Sequence, residues 1–381
     1  MLPKAKLWLA LTVAAVSMFS TNLQAAWDLN MPQGVTQISR ETYDLHMQIL
    51  WWCVAIGVVV FGVMLWSIIN HRKSKGAVSA TFHESTKVEI VWTIIPFIIL
   101  ILMAIPATRV LTEAYDASES DLDIQVIGYQ WRWEYRYLRQ DSMEEEVSFF
   151  SSLSTPREQI SNELPKDETY LLEVDNPLVI PINKKVRFLV TSNDVIHSWW
   201  VPDFAVKKDA IPGFINEIWA IVEEPGVYRG QCAELCGIEH GFMPIVVHAV
   251  PQDEYDAWYA GRQEQAVAAQ AMSNSTITRD DALAQGEAVY NRTCVACHQA
   301  GGVGLAPAFP ALAGSSVVNG DLTANIELLL NGVPGTAMAA YARQLSPVEL
   351  ASTLTYIRNS FGNSTGDLVQ PADVNAILEA Q

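Results

Sequence analysis

Positive charge is scarce in this chain. Its 24 lysines and arginines face 42 aspartates and glutamates, leaving a formal charge of −18 over 381 residues. Phosphate backbones are gripped by Lys and Arg, so nucleic acid is excluded as a partner and a basic macromolecule is favoured. No internal repeat is visible. Cysteine and histidine are few, five and seven, yet "QCAELCGIEHGFM", Gln231 to Met243, gathers two cysteines, a histidine and a methionine in one short stretch.

Half of the residues are nonetheless hydrophobic, and the mean hydropathy is slightly positive. An acidic chain can be so apolar only if the two characters are segregated. They are. "MLPKAKLWLALTVAAVSMFSTNLQAAW" has two lysines, an apolar run and small residues at Ala25 and Ala26, the layout of a cleaved secretory signal over residues 1–25. No cysteine follows the expected cut, which excludes a lipoprotein anchor. Met47 to Ile69 carries no charge and meets the roughly 20 apolar residues that a membrane-crossing helix needs. Ile90 to Ala107 is equally apolar and holds Pro96 and Pro106, which membrane helices tolerate. Helices are expected at about 47–70 and 89–111. The basic "NHRKSKG" between them belongs in the cytoplasm, which puts everything after Arg109 outside.

Beyond this hairpin, short Val/Ile/aromatic runs broken by turn residues predict an all-β sandwich over 113–258. "GYQWRWEY" reads as one strand with Tyr129, Trp131, Trp133 and Tyr135 on one face. Asp141 to Asp167 is acidic and reads as an exposed excursion. A helix and linker are expected up to residue 280, the linker covering 259–280. The amphipathic "DDALAQGEAVY" and "SPVELASTLTYIRNSF" then mark a separate helical domain over 281–381.

Cys232 and Cys236, four apart in a secreted domain, suggest a disulfide at first sight. His240 and Met243 follow closely, however, and His197 lies upstream at the end of a strand pattern. A histidine on one strand with Cys, His and Met in a late loop is the ligand set of copper in a β-sandwich. A mononuclear site has no use for a second thiolate, whereas two thiolates and two imidazoles suit two copper ions sharing both sulfurs. Zinc held by two Cys and two His is the competing reading, and the methionine and strand–loop setting favour copper. In the last domain "CVACH", Cys294 to His298, is the signature of covalent haem c, with His298 as proximal ligand. After His298 the chain has no further histidine and a single methionine, Met338. That leaves Met338 as the candidate sixth ligand, a pairing suited to electron transfer.

"DVIHSWWVPDFAVKKDAIPGFINE" and "GQCAELCGIEHGFMPIVV" resemble subunit II of haem–copper cytochrome c oxidases, which holds the dinuclear copper A centre. The resemblance runs from the first membrane helix to about Trp258, and the last domain resembles cytochrome c. The implied fold class is a multidomain membrane protein: a two-helix transmembrane hairpin, an all-β cupredoxin-like sandwich and an all-α cytochrome c domain. The resemblance implies bridging by Cys232 and Cys236, terminal ligation by His197 and His240, and weak axial ligation by Met243 and the Glu234 carbonyl. It implies that the Glu234 side chain reaches a magnesium ion shared with subunit I. Trp131 would receive electrons from cytochrome c, Asp194 and Asp209 would dock it through complementary charge, and Glu89 would stand at the entrance of a proton path.

The implied function is that of the electron-receiving subunit of a bacterial oxidase, a proton-pumping translocase that reduces oxygen to water. It would sit in the inner membrane as a two-pass protein, with both copper and haem domains periplasmic. Its partners would be subunit I, subunit III and a soluble or membrane-bound cytochrome c. The chain has no haem–copper ligand set of its own, so oxygen chemistry belongs to subunit I. The alternative is a copper A and haem c electron-transfer subunit of another respiratory reductase.

Overall fold

A computed structural model describes residues 30–79, 81, 83–139, 145–272 and 275–380. The expected signal segment, residues 1–25, lies outside them. Helix α1 spans Gln37–Asn70 and α2 spans Thr86–Ala114. The α1 start precedes the apolar run because Thr36 and Ser39 exchange side-chain-to-backbone hydrogen bonds, each 3.0 Å, in a capping box. Both helices are long and apolar enough to cross a membrane. The basic link between them is a short turn around Lys73–Lys75.

Residues 111–381 form a second compact unit. Ten strands build its first part: β1 Leu122–Tyr129, β2 Arg132–Leu138, β3 Glu145–Ser151, β4 Leu178–Pro181, β5 Lys185–Ser192, β6 His197–Val201, β7 Val206–Ala210, β8 Asn216–Ile221, β9 Gly226–Cys232 and β10 Pro244–Val250. They form two five-stranded sheets, ordered β3-β2-β1-β5-β8 and β4-β10-β9-β6-β7. Pairing is antiparallel except for β1 with β5 and β10 with β4. Inward-facing Trp133, Tyr135, Phe188 and Trp199 are fully buried between the sheets. The Trp199 indole donates to the Tyr135 hydroxyl at 3.3 Å, so even the polar atoms of this aromatic core are paired.

Three expectations change here. "GYQWRWEY" is a hairpin rather than one strand: β1 ends at Tyr129, β2 begins at Arg132, and Trp131 sits in the two-residue turn between them. The acidic excursion contributes a strand of its own, since β3 pairs along β2 from Trp133↔Ser151 outward and buries Val147. Most of the expected linker over 259–280 is helix α3, Gln252–Met272. Tyr255, Trp258 and Tyr259 lie at helical spacing and pack against Tyr137, with ring centroids 5.3–6.4 Å away. That aromatic cluster ties α3 to the sandwich.

The last part is helical: α4 Arg279–Val289, α5 Leu322–Asn331, α6 Pro347–Asn359 and α7 Pro371–Leu378. Val289, Leu330, Leu350, Leu354 and Val374 form its core. Helices α4 and α6 touch backbone to backbone at Gly286, where a Cβ would come within 2.1 Å of the Ser352 carbonyl oxygen. Gly286→Val should therefore push the two helices apart and cost about 1–3 kcal/mol of stability. The measurement is the urea midpoint of the helical domain, and an unchanged midpoint would mean that this contact separates freely.

Candidate metal centre and the adjoining cavities

The sheet brings the ligand candidates together. His197 opens β6 and Cys232 closes β9, and these strands pair at Trp199↔Cys232. The loop from β9 to β10 then carries Cys236, His240 and Met243 back beneath them. His197 lies under β1, where Gly128 is required: a Cβ there would stand 2.7 Å from the imidazole.

Cys232 and Cys236 Sγ lie 3.9 Å apart, well beyond the roughly 2.05 Å of a disulfide. Both are free thiols and both are buried. His197 Nδ1 is 3.9 Å from Cys232 Sγ, and His240 Nδ1 is 3.5 Å from Cys236 Sγ. Met243 Sδ, almost wholly buried, is 3.6 Å from Cys236 Sγ. Cys232 Sγ lies 3.4 Å from the Glu234 carbonyl oxygen, while the Glu234 side chain is exposed. Among the described residues, His197, Cys232 and Cys236 are the one group of three or more potential ligands close enough to share an ion. This soft sulfur and imidazole set fits copper and offers nothing to a hard cation.

Asp194 departs from expectation. Proposed for a docking face, it is turned inward, its side chain only 16% exposed. One carboxylate oxygen is 2.8 Å from His197 Nε2, and the other accepts the Gln130 backbone N–H at 2.7 Å. It thus orients the ring so that Nδ1 faces the sulfurs, as outer-shell carboxylates do for ligating histidines. Asp209 is exposed, as a docking residue must be, and Glu89 lies in the first turn of α2.

The charge balance of the site is specific. A hydrogen bond from Cys236 holds the Cys232 thiol far below its ordinary value, outweighing burial. The same bond and burial push Cys236 strongly upward. The pair alone therefore keeps one proton, and a second thiolate needs a cation between the sulfurs. Burial would depress His197, but the hydrogen bonds to Asp194 and Cys232 prevail and raise it.

Trp131 Nε1 and Gln130 Nε2 both donate to the Cys236 carbonyl, at 3.1 and 2.8 Å. This places the Trp131 turn directly on the metal loop. Gly237, at φ 124°, makes room for it, since a Cβ would meet the Trp131 ring at 2.9 Å. Trp133 is both core and site: fully buried, it donates to the Met243 carbonyl at 3.2 Å and packs edge-on to His197.

In the helical domain an apolar cavity of about 320 Å³ is lined by Cys294, Cys297, His298, Leu354 and Met338. His298 Nδ1 lies 2.9 Å from the Pro310 carbonyl, an acceptor, so Nδ1 carries the proton and Nε2 is left as the coordinating nitrogen. Burial pushes Cys294 up to about 12 and also raises Cys297. Both are neutral thiols, unlike the metal-site pair. The Met338 loop closes on Gly332, at φ 64°, where a Cβ would clash with the Met338 carbonyl at 2.4 Å. Two thiols, an imidazole and a thioether around an apolar cavity fit haem c.

A second cavity, of about 430 Å³, lies between the two folds; Trp131, Arg132 and Asp194 line one side, Cys297, Tyr341 and Gln344 the other. Tyr341 borders both cavities. Gln130, Arg132, Tyr341 and the inward role of Asp194 were missed in the sequence. For Asp194 a local signal existed, a carboxylate three residues before a candidate ligand.

Residues 122–250 match the family profile described as cytochrome C oxidase subunit II, periplasmic domain, and residues 24–110 match that of its transmembrane domain. Residues 281–357 match cytochrome C oxidase, cbb3-type, subunit III. A probable cytochrome c oxidase subunit 2 of Rickettsia felis is 40% identical over 270 residues, covering 69% of this chain and 82% of the relative. Cytochrome c oxidase subunit 2 of Arabidopsis thaliana is 39% identical over 240 residues, 62% of this chain and 90% of the relative. The crystal structure of the periplasmic domain of subunit II of cytochrome oxidase of Bradyrhizobium japonicum is 38% identical; the match covers 39% of this chain and 98% of that one, with a TM-score of 0.34.

Asp194→Ala should weaken copper binding about 10- to 100-fold, the usual cost of removing an outer-shell partner. Chelator competition measures this, and unaltered affinity would show that the backbone alone orients His197.

Proposed function

The chain belongs to the cytochrome c oxidase subunit II family, and on that premise we propose that it is the electron-receiving subunit of a bacterial haem–copper terminal oxidase with its own haem c. When bound, copper A and haem c supply one-electron chemistry between an external cytochrome c and the haem groups of subunit I, where oxygen is reduced and protons are pumped. The observation that carries this reading is the pair of unlinked sulfurs 3.9 Å apart with an imidazole nitrogen beside each.

In this reading Cys232, Cys236, His197 and His240 would hold the copper, with Met243 and the Glu234 carbonyl as weaker donors. The Glu234 side chain is left for a magnesium ion shared with subunit I. Asp194 holds the His197 tautomer. Trp131 and Gln130 hold the Cys236 backbone still, and such prior organisation lowers the rearrangement that a change of charge demands. Cys294 and Cys297 would hold the haem as thioethers, and His298, through Nε2, and Met338 would ligate its iron. Electrons arrive at the haem-bearing domain, and the Trp131 turn is their way into the copper site. Asp209 is left to attract a basic cytochrome c, and Glu89 to admit protons towards subunit I. Subunit III completes the assembly, with both soluble domains in the periplasm. Exposed Leu235 and Ile238, flanking Cys236 in the loop, suit a buried contact with another subunit.

Two variants test the assignment. Cys236→Ser should abolish the near-infrared absorption of a mixed-valence copper pair; a retained band would refute the shared-thiolate site. Met338→Ala should lower the haem potential, since it removes the thioether that favours ferrous iron. An unaltered redox titration would point to another sixth ligand. Cyanide-sensitive oxygen uptake driven by reduced cytochrome c separates an oxidase from another respiratory reductase.

A further inference from the structure

The seam between the sandwich and the helical domain contains a buried charge that the functional reading does not use. Arg132, the first residue of β2 and the neighbour of Trp131, is only 6% exposed. Its guanidinium lies 4.1 Å from the centre of the Phe150 ring, and Nη2 donates to Gln344 Oε1 at 2.6 Å. Gln344 is itself buried, and its own amide donates to the Ala340 carbonyl at 2.7 Å. Ala340 follows Met338 in the same loop. One continuous chain of bonds thus joins the Trp131 turn to the segment carrying the candidate haem ligand.

The charge on Arg132 has no counter-ion among the described residues. Besides the hydroxyls of Tyr341 and Tyr129, the groups that act on it are Arg292 and Glu349, and these pair with each other at 2.8 Å. Glu134, two residues along the strand, is taken by Arg136 and by the Tyr129 hydroxyl. Burial draws the guanidinium below its ordinary value, but an arginine stays protonated in a protein. Leaving a cation buried and unpaired is costly. An apolar Met or Leu at such a position would avoid that cost. Arg132 also lines the same cavity as Thr293 and Cys297, beside the segment to which the haem would be attached.

We propose that Arg132 is a positioning residue for transfer between the two domains: through Gln344 it ties the Trp131 turn to the Met338 loop, and its uncompensated charge favours the electron-bearing form of the attached haem. A buried positive charge opposes the extra positive charge of the ferric state. This rests on the functional reading above, and on haem c being attached at Cys294 and Cys297.

The test uses the whole purified oxidase, with copper and haem content measured before each titration. At a fixed ambient potential, Arg132→Met is expected to shift the ferrous-to-ferric ratio of haem c about tenfold towards ferric, equivalent to about 59 mV, with copper absorption unchanged. Gln344→Glu keeps the guanidinium in place and sets a carboxylate against it, so it should move the potential the same way. It decides the matter if Arg132→Met does not fold. Arg132→Lys, which keeps the charge, should hold the potential near that of the unaltered protein. An unshifted haem potential in Gln344→Glu at full copper and haem content overturns the proposal. Absence of copper or haem c from the unaltered protein would instead overturn the functional reading beneath it.

Discussion

Two sulfurs held 3.9 Å apart, too far to bond and too close to carry two negative charges unaided, are the constraint on which this molecule turns. Almost every unusual feature of the sandwich serves that separation. Cys232 is fixed by a strand end, Cys236 by a loop whose carbonyl is clamped by the indole of Trp131 and the amide of Gln130. Met243 is fixed by the Trp133 indole on its carbonyl. The glycines at 128 and 237 are spaces cut for a histidine ring and a tryptophan ring. Held as they are, the donors need a cation of soft character to complete their charge.

The same clamp links the centre to the domain that follows. Trp131 fixes the metal loop from one side, and its neighbour Arg132 reaches the helical domain from the other. Asp194 likewise holds His197 while lining the cavity that Cys297 shares. Position and electrostatics are therefore set by one short turn, Gln130 to Arg132. A rigid turn with its hydrogen bonds satisfied is a better relay scaffold than a mobile one, because supporting side chains locked by packing keep a site in its working geometry.

The candidate ligands could be picked out because they are local: Cys232, Cys236, His240 and Met243 fall in one loop, and "CVACH" is contiguous. His197 could be added because strand ends and late loops meet in sandwiches. What escaped was contextual. Trp131 was misread because a two-residue turn leaves the alternation on either side intact, so Tyr129 to Tyr135 looks like one strand. The sign of Asp194 could be read, but not its direction, since only the fold shows that His197 Nε2 waits beside it. Strand β3 hid within an acidic run, its pairing with β2 decided by Val147 and Phe149. Arg132 and Gln344 are separated by 212 residues, and no local pattern announces their bond.

The acidic surplus noted at the outset then takes a different shape. Asp194 is committed to a ligand and Glu134 to Arg136, so neither contributes a free charge to an outer face. From Arg279 to Gln381, however, nine acidic residues stand against four arginines and no lysine. A basic donor steered by long-range potential would thus be drawn to the haem-bearing domain itself. Arg132 runs against that field, a buried cation set behind an acidic exterior. An exterior that attracted a cationic partner and an interior that favoured the reduced haem would act in sequence rather than in opposition: the first would raise the rate of encounter, and the second would retain the electron once it had arrived.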